Sequence, residues 1–344
     1  MTQTNESARQ VPVMSIKDLK KYFPVRGVKN RKLSLKAVDG VSLDIMPGET
    51  VGLVGESGCG KSTLGRTILG LQSATDGQIE FMGENIVGYN NKKLRPLRQK
   101  MQIIFQDPYA SLDPRKTVFD LVRAPLDAFH IGTEEEKKQK TQQILEFVGL
   151  GEYQLYKFPH ELSGGQRQRV VTARAMVVDP AFILCDEPVS ALDVSVRSQV
   201  LNLMKEAQEK TGVAYLFISH DMSVVRYLCD RVAVMYLGKL VEFGSKKELF
   251  ENPLHPYTKA LLSAIPVPDV DKKRERIFLP GDVPSPLHPP KGCRFHNRCP
   301  YAQESCGTIE PQWQDMGEGH FVACPYALQI KSSALQSNKT LFEA

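Results

Sequence analysis

No stretch of about 18 consecutive apolar residues occurs in this 344-residue chain, so no segment reads as a membrane-spanning helix. The first residues, MTQTNESARQ, lack the basic-then-apolar pattern of a secretory signal, which predicts a cytosolic chain. Net charge is also small. There are 44 Lys and Arg against 39 Asp and Glu, leaving +5, too mild an excess to suggest a nucleic-acid partner. No internal repeat, low-complexity tract or heptad run is present. What is there is ordinary for a folded protein. Hydrophobic residues make up 42% and charged residues 24%, which excludes a disordered chain. The length fits two domains, or one large domain with an appendage.

Seven cysteines are present. Cys59, Cys185 and Cys229 are scattered, while Cys293, Cys299, Cys306 and Cys324 fall within 32 residues. A cytosolic chain has little use for structural disulfides, so such a cluster points to metal.

Residues 1–10 are polar, and residues 11–54 read as strands with turns, AVDGVSLDI alternating around one of them. TVGLV is a short apolar run of buried parallel-strand type, and KSTLGRTILGL (61–71) then reads as a helix. Residues 115–150 predict helices standing apart from the sheet. AFILC and AYLFIS are two further buried strands, and 195–210 a helix with Val196, Val200, Leu203 and Ala207 at helical spacing. RVAVMYLGKLVEFG reads as a hairpin turning near Gly238. From Pro266 to Pro300 the proline density excludes long regular elements and marks a boundary.

Between the first strand and its helix lies GESGCGKS (55–62), which fits G-x-x-x-x-G-K-[ST]. Its glycines let backbone N–H groups converge on phosphate oxygens, and the helix N-terminus faces the same anion. Lys61 supplies a point charge for the β and γ phosphates, and the Ser62 hydroxyl is a magnesium ligand. Cys59 within the loop reads as a small residue that fits, rather than as a reactive thiol.

AFILCDEP ends a buried strand in two carboxylates. Asp186 is placed to hold Mg2+ or its water. Glu187, one residue on, points elsewhere and can polarise an attacking water. LSGGQ (162–166) offers a second, side-chain-poor anion nest in Ser163, Gly164 and Gly165, ahead of a helix predicted over QRQRVVTARAMVV. A second nest has no local use unless another phosphate arrives.

Phosphate loop, LSGGQ, the strand ending in Asp-Glu, ALD (191–193) and Ser219-His220, in that order, resemble the nucleotide-binding subunits of ABC transporters. The resemblance implies an α/β fold: a P-loop nucleotide-binding domain with a RecA-like core, an antiparallel β subdomain and a helical subdomain. We place that domain at 11–265, its helical subdomain at about 107–178, a small Cys-rich C-terminal module at 266–330 and a tail at 331–344. The resemblance implies ATP contacts by Gly55, Glu56, Ser57, Gly58, Cys59, Gly60, Lys61, Ser62 and Thr63. Gln106 of IIFQDP matches the Q-loop glutamine, which senses the γ-phosphate and joins Ser62 and Asp186 at Mg2+. Glu187 matches the catalytic glutamate, His220 the switch histidine, and Asp193 the residue that communicates across a dimer. Phe23 falls where the family stacks an aromatic on adenine, with Tyr22 as runner-up. In such proteins two cassettes face head to tail, so Ser163, Gly164, Gly165 and Gln166 would serve the ATP of a partner.

DPYASLDPRKTV, KFPHELSGGQRQRV, HPYTKALLSAIP and LPGDVPSPLHPPKGCRFHNRCP resemble the ATPase subunits of dipeptide and oligopeptide importers, over residues ~13–327. This implies a chain peripheral to the cytoplasmic face of the membrane. Its partners would be a second ATPase chain (a paralogue, giving a heterodimer) and two permease subunits, with an extracytoplasmic peptide-binding protein acting indirectly. Nickel or glutathione uptake by the same subfamily is the alternative. A soluble non-transport ABC ATPase would typically carry two cassettes or a coiled coil, and this sequence has neither.

The cysteine spacing C-x5-C-x6-C-x17-C suits either Zn2+ or an iron–sulfur cluster. No C-x2-4-C knuckle of a zinc ribbon occurs, and Cys299-Pro300 and Cys324-Pro325 echo the Cys-Pro step of some ferredoxins. Resemblance to the subfamily's C-terminal region implies a 4Fe-4S cluster on Cys293, Cys299, Cys306 and Cys324, with His296 a candidate substitute ligand.

Overall fold

The computed structural model describes residues 11–26, 32–265 and 276–330. The polar start, the tail at 331–344 and the predicted boundary at Pro266 lie outside those residues.

The chain begins with two long antiparallel strands, β1 (Met14–Arg26) and β2 (Lys32–Ile45). The alternating segment AVDGVSLDI does not turn. It runs straight through β2, and Leu19 pairs with Val41 and Lys20 with Asp39, so Gly40 is the extra residue of a bulge. Gly40 sits at φ +80° with Asp18 Oδ1 3.0 Å from where its Cβ would be, which explains a glycine mid-strand. β4 (Asp76–Phe81) and β5 (Glu84–Asn85) complete a four-stranded sheet in the order β2-β1-β4-β5.

The second sheet holds β3 (Thr50–Val54), β6 (Met101–Ile104), β7 (Phe182–Asp186), β8 (Ala214–Ile218), β9 (Arg231–Tyr236), β10 (Lys239–Ser245), β11 (Gln314–Asp315) and β12 (Phe321–Val322). Their order is β11-β12-β10-β9-β3-β8-β7-β6. The run from β9 to β6 is parallel, and β3, β7 and β8 are buried at every residue, as their unbroken apolar sequences require. Alternate side chains of these strands feed two cores. Leu53, Leu184 and Ile218 face the antiparallel sheet and α1 (Lys61–Ile68). Ile183, Cys185, Tyr215 and Phe217 face the helical side.

Helix α2 (Asn91–Lys100) leads into β6. The helical side contains α3 (Val118–Phe129), α4 (Glu134–Phe147), α5 (Glu152–Leu155), α6 (Gly164–Met176) and α7 (Val194–Thr211). Thr133 and Glu136 form a reciprocal capping box that starts α4 in the acidic run EEEKK. α6 opens at Gly164, inside LSGGQ rather than after it, because Ser163 serves as N-cap and Gln166 answers it: each side chain bonds the other residue's backbone N–H. Of the four apolar residues predicted along α7, Val200 and Ala207 are buried while Val196 and Leu203 are half-buried; Leu201 and Met204 complete its inner face. α8 (Met222–Leu228), α9 (Lys246–Glu251) and α10 (Pro256–Ser263) follow. The β9–β10 hairpin turns at Leu237-Gly238, both at positive φ, matching the sequence.

Between 276 and 330 the described residues form short 3-10 turns, the two-residue strands β11 and β12 and helical residues at 327–330. This segment does not stand apart as a small separate body. Val322 pairs with Glu242 and Phe321 with Phe243, so β12 extends the main sheet, and Phe295 lies in the main core.

Candidate functional site

Four adjacent parallel strands, β3, β8, β7 and β6, deliver the polar residues of the site at their carboxyl ends, where an open α/β sheet leaves its crevice. β3 runs into the 55–60 loop, β7 ends in Asp186-Glu187, β8 is followed by Ser219-His220, and Gln106 lies two residues past β6.

Two of the loop's glycines have a steric cause. A Cβ on Gly55 would sit 2.1 Å from the Met235 carbonyl oxygen, and one on Gly60 2.1 Å from that of Ala37. Lys61 is buried, and its Nζ donates to the carbonyls of Gly55 at 2.8 Å and Glu56 at 2.9 Å. Cys59 is buried, and burial pushes its thiol pKa up, which fits a packing residue and not a reactive one.

The Ser62 hydroxyl donates to Asp186 Oδ1 at 2.7 Å, and Arg66 lies 3.6 Å from the other oxygen. Two hard oxygen donors thus already converge where Mg2+ is expected, which fits that ion. Glu187 adopts φ +51°, a left-handed conformation held by its N–H bond to Ile218 O at 3.1 Å. That costs about 1–3 kcal/mol for a residue with a Cβ and swings the side chain away from Asp186. Gln106 Nε2 donates to Glu187 Oε2 at 3.0 Å, and His220 Nδ1 is 3.3 Å from the same oxygen.

Ser57, Gly58, Cys59, Gly60, Lys61, Ser62 and Thr63 line one open cleft of about 600 Å³ with Gln106, Glu187, His220 and Phe23. Phe23 reaches this cleft; Tyr22, one residue back on the strand, turns the other way and donates its hydroxyl to Asp39. Strand alternation therefore puts Phe23, and not Tyr22, on the cleft. Leu35, Gly238 and Pro286 also line the cleft, and no sequence motif marks them.

Ser163, Gly164, Gly165, Gln166 and Asp193 are not among the residues lining this cleft. Ser163, Gly164 and Asp193 are exposed. Gly165 is buried because α6 crosses α7 there: a Cβ would lie 2.2 Å from Val196 Cγ1. Arg197 of α7 pairs with Asp221, the N-cap of α8, at 2.7 Å, tying the segment after Asp193 to the segment after His220.

The four clustered cysteines line a second cavity, of about 280 Å³, together with His255, Phe295 and His296. The Cys293 N–H donates to the Cys306 carbonyl at 2.8 Å. Burial raises the thiol pKa values of Cys293 and Cys299 to about 11, and that of Cys324 also rises. Among the described residues, no three or more His, Cys, Asp or Glu side chains gather tightly enough to hold a metal ion. The four thiols surround one space without converging on one point, so neither Zn2+ nor a 4Fe-4S cluster is established at them.

Comparison with known proteins agrees with the cleft. Residues 38–190 match the ABC transporter family, and residues 241–306 match the oligopeptide/dipeptide transporter C-terminal region. The chain is 51% identical to the oligopeptide transport ATP-binding protein AppF of Bacillus subtilis, over 92% of this chain and 98% of that one. It is 47% identical to the dipeptide transport ATP-binding protein DppF of Escherichia coli, over 93% and 96%. A solved dimeric ATP-binding cassette in a post-hydrolysis state, bound to ADP and Pi, superposes with a TM-score of 0.61 at 29% identity, covering 68% of this chain and 98% of that one.

Proposed function

This chain belongs to the ABC transporter ATPases, in the branch of oligopeptide and dipeptide transport ATP-binding proteins, and on that basis we propose what its cleft does. It is the ATP-hydrolysing subunit that powers import of dipeptides or oligopeptides through separate membrane permease chains. One observation carries this reading: Gln106 and His220 both meet the carboxylate of Glu187 at the mouth of a phosphate loop.

The residue roles follow from that arrangement. Backbone N–H groups of residues 57–63, which line the cleft at the N-terminus of α1, receive the phosphates, and Lys61 adds a cation. Phe23, which lines the cleft, stacks on adenine. Ser62 and Asp186, with Gln106, would hold Mg2+, which supplies neutralisation of the phosphate charge. Glu187 polarises the water, its carboxylate oriented by Gln106 and His220. Ser163 to Gln166 and Asp193 act on the nucleotide of a facing cassette, because they lie outside this chain's own cleft. Closure of two cassettes on ATP, and reopening after hydrolysis, gives the stroke; ATP does work through its higher affinity for the closed state.

No described helix is long and apolar enough to cross a membrane, and we place the chain peripherally at the cytoplasmic face, on two permease subunits. The second cassette is a paralogue, and an extracytoplasmic peptide-binding protein delivers cargo. Residues 11–265 form the nucleotide-binding part, with its helical subdomain at about 107–178, and 266–330 the C-terminal extension.

The four cysteines carry a second proposal. Cys293, Cys299, Cys306 and Cys324 line one cavity, and this supports a structural 4Fe-4S cluster, with Zn2+ as the alternative that metal analysis separates.

The test of the main reading is reconstitution of the complete transporter in vesicles with labelled peptides, nickel or glutathione outside. ATP-dependent uptake of dipeptides or oligopeptides is the expected result. Uptake of nickel or glutathione alone would reassign the cargo, and ATP hydrolysis indifferent to permease and cargo would overturn the transport reading.

A further inference from the structure

The phosphate loop contains an acid, Glu56, and an acid beside a phosphate site is unfavourable unless its charge is cancelled. The structure cancels it from an unexpected direction. Arg298, 242 residues away, closes a two-pronged bond on Glu56: one terminal nitrogen lies 2.8 Å from Oε2 and the other 3.2 Å from Oε1. Arg298 is only 8% exposed and sits on a 3-10 turn between Cys293 and Cys299.

Every polar group of Glu56 is in fact occupied. Its N–H donates to the Tyr257 hydroxyl at 2.8 Å, its carbonyl accepts from Lys61, and its carboxylate takes Arg298. Behind it, the rings of Tyr236, Tyr257 and Phe295 pack with centroids 4.7 to 5.4 Å apart. Phe295 belongs to the same cysteine loop. Glu56 is not among the residues lining the nucleotide cleft, although its neighbour Ser57 is. The loop thus presents its backbone to the cleft and keeps its one carboxylate turned away.

We propose that Arg298 is a positioning residue for nucleotide binding, neutralising Glu56 and holding its carboxylate out of the phosphate site. A second arginine of the same loop works beside it. Arg294, also 8% exposed, bonds Asp39 and the Leu237 carbonyl. Asp39 N–H donates to Gly238 O and Gly238 N–H to Cys59 O, both at 2.8 Å, so Arg294 steadies the opposite flank of the same loop. The C-terminal extension therefore braces the phosphate loop from two sides, and Arg298 supplies the electrostatic part. Without Arg298 the half-buried Glu56 carboxylate loses its cation, and the charge left over is negative and beside an anion site.

The inference rests on the reading of the 55–63 loop as an ATP site. The experiment measures MgATP and MgADP affinity of the full-length chain at equilibrium, with a nucleotide-free melting curve for each variant. Arg298→Met should weaken MgATP binding at least tenfold, more at low ionic strength than at high. Adding Glu56→Gln to Arg298→Met should restore affinity to within about threefold of wild type, since the stranded charge is gone. A loss of packing alone would not be rescued this way. Arg298→Lys, which keeps the cation in place, should stay within about threefold and decides the matter if Arg298→Met does not fold. Wild-type affinity in folded Arg298→Met, a double variant no better than the single, or a tenfold loss in folded Arg298→Lys would each overturn the proposal. Failure of the wild-type chain itself to bind MgATP would instead overturn the ATP-site reading.

Discussion

Gln106 and Glu187 are joined by a 3.0 Å hydrogen bond from the glutamine amide to Oε2, across 81 residues of sequence. The bond fixes which way the carboxylate faces. Glu187→Gln keeps the shape and loses the base, so MgATP binding should persist while turnover in the assembled transporter falls at least 100-fold, the usual scale of a lost general base. Lys61→Ala should instead weaken nucleotide binding itself. Binding and steady-state ATPase assays on the two variants check this; wild-type turnover in Glu187→Gln would remove Glu187 from the chemistry.

Gly164 and Gly165 are neighbours with different duties. Alanine at Gly165 would drive a methyl to 2.2 Å from Val196 Cγ1, on a stiff β-branched side chain. Gly165→Ala should therefore destabilise the isolated chain by about 1–3 kcal/mol, read from denaturant melts. At Gly164 the nearest atom is Leu192 Cδ2 at 3.7 Å, an ordinary contact. Gly164→Ala should leave the melt unchanged and lower ATPase activity only when a facing cassette is present. Equal loss with and without that partner would contradict the head-to-tail arrangement.

The cysteine cavity makes a prediction about metal content. Anaerobically purified chain should carry about four irons and absorb broadly near 400 nm, as such clusters do. Cys299→Ser should lower iron content and loosen residues around the cavity, because thiolate ligation and folding are coupled. One zinc per colourless chain would select the zinc alternative, and an ordered extension with no metal would exclude both.

His255 gives a pH signature. Buried at the start of α10, it accepts the Tyr257 N–H on Nδ1 at 3.1 Å. Burial lowers its pKa to about 4, outweighing the opposite pull of Glu242. The unfolded chain, titrating near 6.5, then binds the proton that the folded chain refuses. The stability due to neutral His255 is complete above pH 6.5 and is lost as pH falls toward 4. Melting temperatures should drop more steeply across that window in wild type than in His255→Gln. Parallel slopes would show that His255 is not the source.

Much of the site was legible because its motifs are local. A strand, a glycine loop and a helix adjoin in sequence, and Asp186-Glu187 and Ser219-His220 each close an apolar run. The sequence leaves Tyr22 as runner-up to Phe23, and only the structure puts Phe23 on the cleft and Tyr22 against Asp39. Most of what escaped has no local signature. The bulge at Gly40 looks like a turn until its pairing with β1 is known. The capping box that starts α6 inside LSGGQ is the exception, since Ser163-x-x-Gln166 is itself a local helix-start pattern. Arg298 and Glu56 meet across 242 residues, and no periodicity announces such a pair. Strands of two residues, such as β12, are too short to leave an alternating pattern.

β12 is short, but its place matters. It lies on the outer side of β10, whose Leu240, Val241 and Phe243 are buried. Stripped of that cover, β10 would offer an unpaired row of amides and carbonyls beside apolar side chains, a template on which another chain could stack. Two residues near the end of the described chain thus act as a selvedge. With β11 paired on their far side, they finish the fabric of the sheet, a service separate from any rendered to the nucleotide.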